Sequence, residues 1–372
     1  MFCRIGVFAI LAAFLALAET SQAQDPAAGR QKVSRRSKDA PPYAAAAATS
    51  QQLREESHDS FVRGLLPLSD HLEHLGLVYE AEARHAYDTL QRQTKGTYES
   101  NRATRFDQKQ LERTFRPVYQ ARLTALEDVV QRLEAFQQPA STGWEADVAL
   151  AKVALNRAQL ETARLLGMKG AVIELTEAEE RLAAEHYWKR LEDARVGQAS
   201  LPALVQAVSL LNISPEFRRN MLQSVAEQTV IWEMEGAGIG RSDAVTRAQL
   251  DLSWLDGYKE RRDGSIKVND AAWRESDQLA ATLFEQRAEL YPKGTATLGD
   301  LSRTWHLRQQ MHQIADEAHY EMPKASVEQH NRNLALLKEA AGATTDRRGR
   351  AAADVTFVAL LGDLKAAELA RK

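Results

Sequence analysis

The chain has a single cysteine, Cys3, so no internal disulfide can staple it and no cluster of thiolates can hold a metal. Glycine and proline are also sparse, 19 and 10 of 372 residues, too few for the turn every ~10 residues that an all-β sandwich or barrel requires. Aromatic residues make up only 7%, which leaves few large side chains to fill a deep core. The longest unbroken apolar run, Ile5 to Ala18, rises only about 21 Å as a helix, against a bilayer core of about 30 Å. No sign of charge dominates, the formal net charge being −3. What is present in quantity is Ala, Leu, Glu, Gln and Arg, the residues of helices. The composition predicts an all-α protein.

Arg4 precedes the apolar run, and Ser21-Gln22-Ala23 follows it as a small-x-small cleavage signal, so residues 1–23 read as a secretory signal peptide. Cys3 lies before the apolar region and leaves with it. Residues 24–43 then carry Arg30, Lys32, Arg35, Arg36 and Lys38 and end at Pro41-Pro42, a basic disordered linker capable of weak contact with anionic membrane. The chain is therefore expected to be exported. Beyond the linker the one basic cluster is the short Arg347-Arg348-Gly349-Arg350, which argues against nucleic acid as a partner.

From residue 44 to 372 the pattern is helical. Leu72, Leu75, Tyr79, Ala83, Ala86 and Leu90 recur at three- and four-residue steps, as do Ala149, Val153, Asn156, Leu160, Ala163 and Gly167. The second seam is built of small residues, which let helix axes approach closely. Stops fall at Gly96, Pro139 with Gly143, Gly197, Gly236 to Gly240, Gly264, Pro292 with Gly294, and Gly342. The expectation is seven to ten long helices arranged as antiparallel hairpins in an elongated bundle or coiled-coil-like body. A corner recurs at several stops, near residues 101, 197, 238 and 294. Gly197 with Ser200, and Gly294 with Thr297 and Asp300, place a left-handed residue before a capping hydroxyl. Thr104 with Asp107 repeats this after Asn101, and Gly238 with Ser242 is a looser copy.

The stretch ALAKVALNRAQLETARLLG from Ala149, with EHYWKRLEDARVGQASLPALVQAVSLL ending at Leu211, resembles the periplasmic helical repeats of the TolC-like outer-membrane efflux protein family. Gly197, Ser200, Leu204, Val205 and Ala207 match that family's helix corner, and Ala203 replaces its acid. Gly238, Val245 and Ala248 give a weaker second match. The resemblance implies a periplasmic helical duct component, non-enzymatic, that pairs with helices of an envelope partner or of itself. The membrane barrel of the family has no counterpart in the sequence, where the nearest strand-like piece is Gly264 to Asn269.

The rival expectation is a ferritin-like bundle holding a transition metal. Glu82 and His85 match Glu-x-x-His, but His71, His74, Glu82 and His85 span about 21 Å and lie off the Leu72/Leu75/Tyr79 face, so these histidines are expected in solvent. His312, Asp316 and His319, at i, i+4 and i+7, are the best-spaced donors, and no metal is assigned to them. No cofactor motif is evident, since Gly236 to Gly240 lacks a βαβ context. The six tryptophans fall in or beside helical runs, where core packing is expected. No local serine, histidine and acid set is identified as catalytic, which points away from an enzyme without excluding a site assembled from distant helices.

Overall fold

Short polar turns and long Ala/Leu-rich segments leave the backbone one economical way to satisfy its hydrogen bonds, and the computed structural model is all-α accordingly. It describes residues 42–95, 108–135, 144–195, 201–211, single positions between 217 and 253, 258–260, 266–344 and 349–371. The elements are α1 (Ala44–Val62), α2 (Leu68–Lys95), α3 (Gln108–Ala135), α4 (Trp144–Leu165), α5 (Lys169–Arg195) and α6 (Leu201–Leu210). A two-stranded antiparallel ribbon, β1 (Tyr258–Glu260) with β2 (Ile266–Val268), precedes α7 (Asp270–Leu290), α8 (Leu298–Glu317), α9 (Lys324–Ala343) and α10 (Arg350–Arg371). The strand-like piece around Ile266 is thus a strand of three residues. Three of the helices exceed 25 residues: α2 and α3 with 28 each and α5 with 27.

Helices adjacent in sequence pack on one another, and α10 returns to lie against α1. The small-residue seam does what its composition suggests. Ala149, Val153, Asn156, Leu160 and Ala163 are all buried on α4, which makes its most extensive contact with α5, and Gly167 ends the seam at φ +67. The other expected seam is also in the interior, with Leu75, Tyr79, Ala83 and Leu90 buried on α2.

Two predicted features need correction. Tyr43, placed in the linker, is only 2% exposed and belongs to the core with Leu53, Leu77, Trp305 and Phe357, so the packed body takes in the last residue of the expected linker. His71 and His74, expected in solvent, are 1% and 2% exposed. The reason is that α2 is covered on two sides: Leu77, Val78 and Ala81 face the core shared with α1, α8 and α10, while Leu75 packs with Leu126, Val129 and Leu150 of α3 and α4. No single apolar stripe describes such a helix. Ser57 Oγ sits between the two rings, 2.7 Å from His71 Nδ1 and 3.0 Å from His74 Nδ1, and Phe61 and Phe357 stack on them.

Of the predicted corners, the one at Gly294 lies within the described residues. Gly294 has φ +72, a conformation costly for any side chain with a Cβ. The Asp300 N–H donates to Thr297 Oγ1 at 3.1 Å and the Thr297 N–H donates to Asp300 Oδ2 at 2.8 Å, a reciprocal capping box at the start of α8. Gly197, Ser200, Gly238, Ser242, Thr104 and Asp107 lie outside the described residues. Substitutions here should rank by mechanism in urea or thermal unfolding. Gly294→Val should be the most costly, Thr297→Ala should cost about 1 kcal/mol through the lost cap, and Asp300→Asn less, because an acceptor remains. A neutral Thr297→Ala would show that the box does not hold the helix.

Candidate functional site

Polar residues at core positions of a helix are expensive unless paired, and α8 carries three of them in eight residues: Arg308, Gln309 and His312 are all buried alongside Trp305, Met311 and Ile314. Their partners come from two other helices. Arg308 donates through Nε to Asp277 Oδ1 at 2.7 Å and through Nη2 to Oδ2 at 3.0 Å, a bidentate pair between α8 and α7. Ser326, in the first turn of α9, donates to Asp277 Oδ2 at 2.6 Å and accepts from Arg308 Nη2 at 3.0 Å. His312 Nε2 lies 3.3 Å from Asp277 Oδ1. Asp277 is buried, which favours its neutral form, yet hydrogen bonds from His312, Arg308 and Ser326 hold its carboxyl well below the usual carboxylate range.

Above this network runs a groove of about 510 Å3 between α7 and the start of α9. Asp277, Ser326 and Gln329 form its floor, Trp273 and Met322 its apolar part, and Arg274 and Arg332 part of its rim. Beneath it, His330 stacks on Trp305 with ring centroids 4.6 Å apart, and its Nε2 donates to Gln309 Oε1 at 2.8 Å. The Trp305 indole donates to the His330 carbonyl at 3.0 Å.

The structure thus assembles a serine, a histidine and an acid that sequence spacing could not reveal. Their geometry is not that of a proton relay. A nucleophile–base–acid triad needs the imidazole to offer one ring nitrogen to the acid and the other to the hydroxyl. Here the same nitrogen, His312 Nε2, faces both Asp277 at 3.3 Å and Ser326 Oγ at 3.5 Å, while the serine proton is committed to Asp277. The hydroxyl is not activated. Asp277 instead joins three helices through its two oxygens.

The proposed metal donors are not brought together. His312 points into the network, Asp316 is exposed, and His319 lies past the end of α8 at φ +53, exposed as well. The i, i+4, i+7 spacing fails because the helix ends at Glu317, so the last donor leaves the helical face. Among the described residues no group of three or more His, Cys, Asp or Glu side chains could hold a metal ion. Glu82 is occupied by an ion pair with Arg54. The sequence signal that would have flagged Arg308 and His312 is their four-residue spacing on the same face as Leu301, Trp305 and Ala315.

Elsewhere buried charge is used in the same way. Arg157 Nε pairs with Glu179 Oε1 at 2.7 Å between α4 and α5, and Arg122 pairs with Glu161 between α3 and α4. Arg190 joins α5 to Asp147 of α4. Arg84 links Glu80 of α2 to Glu368 of α10.

Two outcomes test this description. Arg308→Met should destabilise by about 3–5 kcal/mol because it strands the Asp277 carboxylate, whereas Arg308→Met with Asp277→Leu should recover a large part of that loss. Additive losses in denaturant unfolding would refute the pairing. The second outcome concerns acid. Burial holds His71, His186 and His306 down to about 4, His74 to about 3 and His330 to about 2. Each folded imidazole is neutral, while the unfolded one takes up a proton below about 6.5, so stability is complete above that pH and falls as the pH falls through it. Each histidine removes about 1.4 kcal/mol per pH unit in that window, offset in part by Glu80, Asp147, Glu161 and Asp354, whose pKa values are raised by burial. The melting temperature should drop from pH 6.5 toward pH 5; a flat profile would mean that the rings are hydrated.

Compared with known proteins, the chain matches no family model, no curated protein and no solved structure.

Proposed function

We propose that this chain is an exported, non-enzymatic helical protein of the cell envelope that acts by docking one of its helices against a protein partner. The observation that carries the reading is the outer side of α5. This helix buries Glu179, Ala183 and His186 toward α4 but leaves Ile173 63% and Trp188 59% exposed, with Met168 exposed just before its first turn. The core-packing expectation for tryptophan holds at Trp273 and Trp305 and fails at Trp188. A tryptophan left in water forgoes the largest apolar gain of any side chain. Ile173 and Trp188 lie about 22 Å apart along the helix and within about 60° of one another around it, a line suited to a second helix rather than a compact pocket.

The leader-like first 23 residues support export, and the resemblance of residues 149–211 to the periplasmic repeats of TolC-like proteins supports a duct-associated form of this role, since α4 and α5 are the helices that carry it. The buried charges are consistent with a scaffold, being engaged in struts between helices.

The double variant Ile173→Glu with Trp188→Glu tests the docking line. Exposed positions tolerate such changes within about 0.5 kcal/mol, so the variant should melt like the wild type. It should leave the envelope assembly and run at monomer size in native fractionation, where the wild type runs larger. Retention of the assembly by the folded variant would overturn the docking role. Amino-terminal sequencing of the envelope pool should begin at Gln24, and an intact Met1 would overturn export by cleavage.

A further inference from the structure

Three helices begin at one corner of the molecule. α2 starts at Leu68, α8 at Leu298 and α10 at Arg350, and their first turns meet through side chains. Asp70 is held by two arginines from the other two helices, Arg303 Nη1 at 2.6 Å from Oδ1 and Arg350 Nη2 at 3.1 Å from Oδ2. Arg350 also donates to the capping hydroxyl Thr297 Oγ1 at 3.2 Å, and Arg303 pairs with Asp300. Arg287 of α7 reaches the same turn by donating to the Asp300 carbonyl at 3.0 Å.

Asp354, in the second turn of α10, is the poorly served member of this junction. Among the described residues it is 3% exposed, its Oδ1 is buried with no hydrogen-bond partner, and the cation paired with it, Arg350 Nε, is 3.6 Å from Oδ2, too far for a hydrogen bond. The carboxyl is pressed against the backbone of α8, where a Cβ built on Gly299 would lie 2.8 Å from Oδ1. Arg350 gives its Nη2 to Asp70 and Thr297, while its buried Nε makes no hydrogen bond among the described residues. Among the described residues of the junction four carboxyl groups, Asp70, Glu73, Asp300 and Asp354, meet the guanidinium groups of Arg303 and Arg350, and Arg287 acts on Asp300 from α7. His74 of α2 feels both arginines and stays neutral. On the α1 side Glu56 accepts from Thr356, and on the α9 side Lys338 lies two turns further along, at Gly362.

We propose that Asp354 is a proton-operated latch on this corner: protonated, it lets α10 seat against the first turn of α8, and ionised, it loosens the start of α10 from α8 and α2. A carboxylate without donors, among three other carboxylates, is a poor place for a full charge, whereas the neutral acid fits. The electrostatics agree. Burial raises the Asp354 pKa to about 6, Arg350 and Arg303 pull it down, and Asp70 and Asp300 push it up. The sign follows from linkage. The folded carboxyl binds a proton more tightly than the unfolded one, so the latch is strongest below about 4 and weakens as the pH rises to about 6, above which the penalty is constant. This is opposite to the histidines and local to one corner. The segment freed would include Gly349, at φ +58, which abuts Leu65 in the turn between α1 and α2.

Amide hydrogen exchange on the full chain, corrected for intrinsic rates and compared with Asp354→Asn, reads the latch directly. The neutral variant should protect residues 351–356 more than the wild type at pH 7.5 and by a much smaller margin at pH 5.0, with the ratio of their opening constants changing roughly tenfold over that range. Parallel behaviour of the two proteins, or weaker protection in Asp354→Asn at pH 7.5, would overturn the proposal. Should the variant not fold, carboxyl carbon NMR of the wild type decides instead: Asp354 titrating near pH 6 supports the latch, and a midpoint below 4.5 overturns it.

Discussion

The fold depends on charge buried between helices that are far apart in sequence. Asp70 and Arg350 are separated by 280 residues, yet their 3.1 Å contact ties the beginning of the packed body to its last helix. Asp277, Arg308 and Ser326 do the same for α7, α8 and α9. Most of the buried apolar residues are Ala and Leu, whose contacts are alike and specify register weakly. Ion pairs add little net stability, but leaving one half-made is costly, and that asymmetry selects one arrangement of the helices over its near neighbours.

What could be read from the sequence was what is decided locally. Thr297 and Asp300 are three residues apart and their reciprocal bonds close within one turn, so composition and spacing are sufficient to find them. The Ala149 to Ala163 seam is legible for the same reason, since one face of one helix meets mainly one neighbour. His71 and His74 were misread because α2 is enclosed from two sides, and a helix with two buried faces has no polar side for histidines to occupy. The Asp277 network was invisible for a different reason. Asp277, Arg308 and Ser326 sit 18 to 49 positions apart on three helices, and only the crossing of those helices makes them neighbours.

The same blindness bears on the alternative metal reading at His312, Asp316 and His319. Three donors at four- and three-residue steps converge only while the helix continues, and α8 ends at Glu317. His319 then adopts a left-handed backbone conformation and leaves the face it was assigned to. Spacing arguments for ligands carry an unstated premise about helix length, and here an Ala-His-Tyr sequence without glycine or proline gave no warning of the stop.

Burial imposes one rule on two kinds of group in this molecule. It disfavours charge on imidazoles, which charge by gaining a proton, and on carboxyls, which charge by losing one. Acid therefore attacks His71, His74 and His330 at the centre of the bundle, while rising pH attacks Asp354 at the corner where three helices start. The two sets are adjacent, because His74 lies one turn from Asp70 on α2 and stacks against Phe357, three residues from Asp354 on α10. The contact surface between α2 and α10 is consequently squeezed from both directions of pH. The first loosening on the alkaline side is confined to helix starts, whereas on the acid side it reaches the core, since Phe357 belongs to the cluster that also holds Tyr43, Leu53 and Trp305. A corner can open reversibly without loss of the core, and a core cannot, so the physical asymmetry between Asp354 and the histidines is one between adjustment and unfolding.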